Sequence, residues 1–259
     1  MSAHNETVRQ SFTTQAQAFA SNPWVSDEDR IARLVAAARL IGNERVLDLA
    51  TGPGYIAEAF ARAAREAVGL DLTEAMLTIA RERTQQRGVA NVSFRSGDAQ
   101  ALPFGDAEFD VVVCRLALHH VKYPLGLLRE MSRVSRLGAT ILIEDIYASE
   151  HPERAAYQDR WELLRDPSHV RALPLSALLQ LFRDSRLEVD QVLTAEDLMP
   201  EVERWMSTTQ VSPEKAAEIR RLLEDDRVHD LSGARPYQDE TGRMHFHSRT
   251  AILGGRKFR

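Results

Sequence analysis

Between residues 45 and 147, short apolar runs alternate with longer amphipathic stretches. The runs "RVLDLA" (45–50), "AVGLDL" (67–72), "VSFRSG" (92–97), "FDVVVCRLAL" (109–118) and "ATILIEDIY" (139–147) read as strands. Segments 55–65, 73–87 and 123–135 carry apolar residues at helical spacing and read as helices. Strands nearly continuous in Val, Ile and Leu, each followed by a helix, predict a parallel sheet covered on both faces. The right-handed crossover rule then makes it a doubly wound, open α/β sheet.

The first forty residues read as helical: "DEDRIARLVAAARLI" places Ile31, Leu34, Val35 and Ala38 on one face, with Ser26 as the expected cap. Past residue 147 the rhythm breaks. Segments 150–164 and 175–184 read as helices around the irregular "RDPSHVRALP", and "LEVDQVL" (187–193) returns to the sheet. A helix at 214–224 and the polar loop "LSGARPYQDETG" precede a last strand-like run, "MHFHSRTAILGG" (244–255). The expectation is one domain over 1–259: a helical flap at 1–42, a core at 43–147, and cap insertions at 148–186 and 195–243.

The stretch "VLDLATGPGYIAEAF" holds a strand, a Gly-Pro-Gly corner and the start of a helix. Gly52 and Gly54 allow a sharp turn and close approach of a ligand to backbone. The helix beyond points its free N–H groups into the same crevice. Asp71, about twenty residues on, stands where a carboxylate accepts both hydroxyls of a ribose. To this point a dinucleotide and any other nucleoside fit equally. Three features separate them. Asp48 lies inside the first strand, unwelcome beside a pyrophosphate but suited to a cationic amino-acid tail. Asp98, in "GDAQALPF", is placed to accept from an adenine amino group, and "CRLALHH" (114–120) ends the strand at the topological switch point. An adenine, a ribose and a cationic amino-acid end, without phosphates, describe S-adenosylmethionine.

Composition narrows the partners. A net charge of −5 argues against a nucleic-acid footprint, and the one cysteine, Cys114, excludes an intramolecular disulfide and reads as a buried apolar residue. No apolar run approaches the roughly 20 residues of a membrane span, and "MSAHNETVRQSF" lacks the apolar core of a secretion signal, so a cytoplasmic location is expected.

"VLDLATGPGYIA", "GLDLTEAMLTIA", "GDAQALPF", "FDVVVCRLALHH" and "LGATILIEDIY" together resemble the class I S-adenosylmethionine-dependent methyltransferases, nearest the branch of ubiquinone and menaquinone biosynthesis. The resemblance implies a seven-stranded sheet with an antiparallel last strand. It also implies a methionine end lined by Asp48, Ala50, Gly52 and Gly54, and a ribose held by Asp71. Leu72 and Met76 would pack the adenine, Asp98 and Ala99 would meet its edges, and Arg115 and Leu116 would lie beneath the sulfonium. Pro53, between the glycines, removes one N–H donor from the corner.

Methyl transfer from a sulfonium needs alignment and dryness, and a base only when the acceptor must lose a proton. His119 and His120, at the mouth of the site, are the candidates for that base; their other role would be capping a turn and packing. Arg165, His169 and Arg171 would face an acidic or carbonyl-bearing acceptor or form a solvated loop. Trp205 and Tyr237, with His245 and His247 on one strand face, would line the acceptor pocket or pack. Phe12, Phe19 and Trp24 form a flap or close the core edge, and no metal site is expected. The activity expected is methylation of oxygen or carbon, less readily nitrogen, on a small molecule. Two other readings share the corner: an NAD-dependent oxidoreductase, for which a Tyr-x-x-x-Lys pair is missing, and an inactive methyltransferase-like binding protein.

Overall fold

The computed structural model describes residues 2–258. The amino-terminal segment folds as two helices, α1 (Ala3–Ala20) and α2 (Glu28–Ala37). The cap of α2 is Asp27, whose side chain accepts from Arg30 N at 2.9 Å, and not the preceding Ser26. The alternating part then follows as β1 (Arg45–Leu49), α3 (Tyr55–Ala61), β2 (Glu66–Asp71), α4 (Glu74–Gln86), β3 (Val92–Ser96), β4 (Phe109–Arg115), α5 (Pro124–Val134) and β5 (Ser135–Ala148). After it come α6 (Pro152–Arg165), β6 (Leu173–Pro174), α7 (Leu175–Asp184), β7 (Leu187–Leu198), α8 (Val202–Ser207), α9 (Pro213–His229), β8 (Tyr237–Gln238), β9 (Met244–His245) and β10 (His247–Lys257).

The main sheet has the order β3-β2-β1-β4-β5-β10-β7, with the two-residue β6 added beside β5, so it holds eight strands where seven are expected. Pairing is parallel from β3 to β5, while β10 runs antiparallel to both β5 and β7. Alternate residues serve opposite faces, as the two-residue period of a strand requires. Leu47, Leu49, Val112 and Leu253 join α5 and α7 in one core, and Val46, Val111 and Val113 join α2 and α3 in the other.

The strand ends depart from the sequence reading. β7 continues to Leu198 because β10 pairs with it from His247↔Leu198 to Lys257↔Leu187, so the second cap insertion starts after 198, not at 195. α3 stops at Ala61, leaving room for the chain to turn into β2. The short α8 carries no sequence signal of its own. Above the carboxyl ends of β5 and β7 the cap has a separate apolar cluster, with Trp161, Trp205 and Phe246 edge to face and Ile219, Leu222 and Leu223 of α9 around them.

Candidate active site

Strand order reverses direction between β1 and β4, and a cavity opens at the carboxyl ends of these two strands. Asp48, Ala50, Gly52, Asp71, Leu72, Met76, Asp98, Ala99, Arg115, Leu116 and His120 line it. The backbone works to expose this wall. Ala50 and Leu116, the residues just past β1 and β4, both take positive φ (53° and 52°), as does Gly52. Gly54 is not on the wall but caps α3 from the left-handed region (φ 79°), where an added Cβ would lie 2.8 Å from Ala80 Cβ.

The acids are built into the corner. Asp48 accepts from the Thr51 hydroxyl and from Ala57 N at 3.0 Å. Asp71 accepts from Gly52 N and Thr73 N, each at 2.8 Å, tying the corner to the end of β2. Burial pushes the Asp48 carboxyl up to about 7, against the hydrogen bonds from Thr51 and Ala57, with Asp71 adding repulsion. Burial likewise raises Asp71, partly offset by its bonds to Thr73 and Gly52. Arg115 offsets Asp48 only in part, since its Nε is bound to Glu144 at 3.0 Å and its Nη1 to Val25 O at 2.8 Å. Arg30 shares the same Glu144 at 3.2 Å and also pairs with Asp197.

Helix α1 roofs the cavity with Asn5, Val8, Phe12 and Phe19. It is fastened at four points, through Asn5 Nδ2 to Asp98 Oδ2 (2.6 Å), His4 Nε2 to the His120 carbonyl (2.7 Å), Ser11 Oγ to Asp166 Oδ1 (3.1 Å) and the Tyr55 hydroxyl to the Ala20 carbonyl (2.6 Å). Trp24 is not part of this roof; the Arg30 guanidinium stacks on it, 4.3 Å from the ring centroid.

The two consecutive histidines part company on a 3₁₀ turn, Leu118–His120. Asp145 accepts from Leu118 N at 2.6 Å and holds His119 Nδ1 in a short contact. Burial opposes charge on His119, but this carboxylate outweighs it and raises the His119 pKa. His120 turns to the cavity, its ring edge-on to Phe12 at 5.1 Å. Burial first, then the charge of His119, lower its pKa to about 3, so it is neutral at physiological pH.

The segment "RDPSHVR" packs behind these histidines, Val170 N donating to the His119 carbonyl at 2.8 Å. His169 is buried, bound to Asp159 at 2.8 Å, and Arg171 is exposed. Arg165 stacks on Trp205 and donates to its carbonyl, joining the cap interior. Trp205 itself is buried in the cap cluster, away from the cavity wall. Tyr237 stacks with His245, which is bound to Asp239, and lies tilted against His247. None of these seven lines the cavity, because the cap folds them onto one another, onto the histidine pair or toward solvent. Ser168, which touches His120 from behind, and Asp166, which binds Ser168, carry no sequence signal beyond a turn.

Among the described residues no group of three or more His, Cys, Asp or Glu is arranged to hold a metal ion, and no helix is long and apolar enough to cross a membrane. Cys114 is buried in the floor of the cavity.

Residues 41–221 match the methyltransferase domain family. The uncharacterized methyltransferase YcgJ of Bacillus subtilis is 33% identical over 181 residues, 70% of this chain and 72% of its own length. The ubiquinone/menaquinone biosynthesis C-methyltransferase UbiE of Burkholderia mallei is 34% identical over 126 residues, 48% of this chain and 51% of that protein. A solved structure of a candidate methyltransferase from Bacillus halodurans C-125 superposes with a TM-score of 0.84 at 30% identity, over 89% of this chain and 100% of that one. The YcgJ crystal structure gives 0.80 at 28%, over 90% and 99%. With the sheet order, the glycine corner and the acid-lined cavity in agreement, the chain belongs to the class I S-adenosylmethionine-dependent methyltransferases.

Proposed function

We propose that the protein methylates an oxygen or carbon atom of a small-molecule acceptor, using the cavity at the ends of β1 and β4. One observation carries the reading: two buried carboxyls, Asp48 and Asp71, face a cavity where Arg115, the one arginine among the described lining residues, is bound to Glu144. Such a wall favours a cationic ligand and disfavours a pyrophosphate. The cofactor supplies an activated methyl group on a sulfonium. Asp48, Ala50 and Gly52 would border its amino-acid end, while Gly54, off the wall, shapes the corner by capping α3. Each Asp71 oxygen spends one lone pair on the backbone, which leaves acceptor capacity for the two ribose hydroxyls. Leu72 and Met76 would pack the adenine between them, with Asp98 and Ala99 at its edge and Arg115 and Leu116 below the sulfonium.

His120 is the residue placed to take the acceptor's proton. It lines the cavity and is neutral, whereas His119 is turned away and bound to Asp145. A neutral imidazole offers a free lone pair, and Asp166 behind it works against the burial and the His119 charge that disfavour the imidazolium it becomes. The partial match to a C-methyltransferase, covering about half of that protein, supports a carbon acceptor within this range.

The test is incubation of the purified protein with methyl-labelled S-adenosylmethionine and a metabolite extract, following the label by mass. A labelled small molecule that disappears in His120→Gln supports the reading. Cofactor binding with label only in macromolecules, or full activity in His120→Gln, overturns it.

A further inference from the structure

We propose that Asp166 and Ser168 are positioning residues that hold His120 in the tautomer protonated on Nδ1, leaving the Nε2 lone pair facing the acceptor. The inference rests on the role given to His120 above and adds how its proton is placed. Ser168 is fully buried, and its Oγ lies 2.6 Å from Asp166 Oδ1 and 3.0 Å from His120 Nδ1. Asp166 Oδ1 also accepts from Ser168 N at 2.8 Å and from Ser11 Oγ at 3.1 Å. An oxygen met by three donors is a carboxylate oxygen with no proton to give.

The serine has one hydrogen. The charged acceptor at 2.6 Å takes it, since hydrogen bonds to ionised oxygen are about twice as strong as neutral ones. What Ser168 then turns to His120 is a lone pair, so Nδ1 must be the donor. The reverse assignment would aim the serine hydrogen at Nδ1 and leave two bare oxygens 2.6 Å apart. No described residue hydrogen-bonds His120 Nε2, and the ring lines the cavity.

The other ionisable groups around His120 do not compete for this proton. His119 lies 4.1 Å away ring to ring but is bound to Asp145, and His169, at 6.4 Å, is bound to Asp159. His4, from the roof, meets only the His120 carbonyl. When the acceptor's O–H or C–H bond breaks, the proton becomes Nε2–H and the electron pair stays on the acceptor for the new bond. The ring then carries a positive charge, and Ser168 passes the field of Asp166 to it without giving up its own proton. The chain of three sets the tautomer first and steadies the charge afterwards, as second partners of catalytic histidines do.

Nitrogen-15 spectra of the full chain labelled on histidine read the tautomer without any acceptor, with His120 assigned by the signal lost in His120→Gln. The expected result is a protonated Nδ1 and an unprotonated Nε2 at neutral pH. Ser168→Ala should move the proton to Nε2 or mix the two forms, and Ser168→Thr, which keeps the hydroxyl, should restore the parent spectrum. In turnover, Ser168→Ala should lose roughly tenfold or more in kcat with cofactor affinity unchanged. A parent spectrum with the proton on Nε2, or a Ser168→Ala spectrum identical to the parent, overturns the proposal. Because the parent spectrum needs neither a variant nor a substrate, it decides the matter even if Ser168→Ala does not fold. A protonated Nδ1 in a protein that methylates nothing would sustain this inference and defeat the assigned activity.

Discussion

Asp48 holds its proton up to about pH 7 in the folded chain, against an ordinary value of 3.8. The native state therefore binds more protons than the unfolded state between these limits. Its contribution to stability is greatest below about pH 4 and is lost as pH rises through 7. A sulfonium or ammonium beside it favours the ionised form, so cofactor binding near pH 6.5 should release a proton. Affinity should rise by about an order of magnitude from pH 6 to pH 8. Calorimetry in buffers of different ionisation heat checks this, and a flat profile with no proton release would count against a cationic ligand at Asp48. Asp71→Ala should weaken cofactor binding by about tenfold or more through the lost charge-assisted bonds. It should also lower stability by about 1–3 kcal/mol, because Gly52 N and Thr73 N lose their acceptor; unchanged affinity in the same calorimeter would sink the assignment. Both aspartates were legible in the sequence because each sits at a fixed place on a strand that ends at the crevice. The division between His119 and His120 was not. It depends on Asp145 capturing one of them, and nothing local marks a partner 26 residues away.

Helices and strands were legible wherever periodicity was strong and blurred where tertiary pairing set the limits. β7 outruns its apolar core because β10 supplies hydrogen-bond partners along its length, and β5 does so because β4 pairs at its start (Phe109↔Ser135) and β6 at its end (Ala148↔Pro174). The corner between β1 and α3 is tighter than its glycines alone suggested. At Gly54 a methyl group would meet both a left-handed backbone and the Ala80 and Phe94 side chains at 2.8 and 3.0 Å. Gly54→Ala should therefore destabilise the fold by about 2–4 kcal/mol, combining strain and overpacking. Gly88→Ala, with φ +67° and open space around it, should cost about 1 kcal/mol. Equal losses for the two in urea titrations would show that packing at the corner is looser than described. The cap could not be read in this way. Its residues were chosen to pack on one another, and their aromatic and charged types resemble those of a ligand pocket.

One buried ionic knot joins the two halves of the sheet to the amino-terminal segment. Glu144 on β5 binds Arg115 of β4 and Arg30 of α2, Arg30 reaches Asp197 of β7, and Arg115 holds the Val25 carbonyl. Glu144 is 3% exposed, so its replacement leaves two guanidinium groups dry and short of a partner. Glu144→Leu should cost about 3–5 kcal/mol in chemical denaturation. A loss below about 1 kcal/mol would mean that water reaches the arginines. No periodicity in the sequence announces this knot, since its members lie on four separate elements, and Arg115 stood out only as a residue of the cofactor site.

The roof helix has a consequence for the pace of catalysis. Its latches grip the adenine-side acid, the turn that bears His120, the carboxylate behind it and Tyr55 of the corner, so release of spent thioether past this helix requires them to let go. Opening of that kind drags a helix through solvent. Multiple-turnover rates should then fall as sucrose thickens the medium, while the first turnover of a preloaded, closed protein keeps its speed.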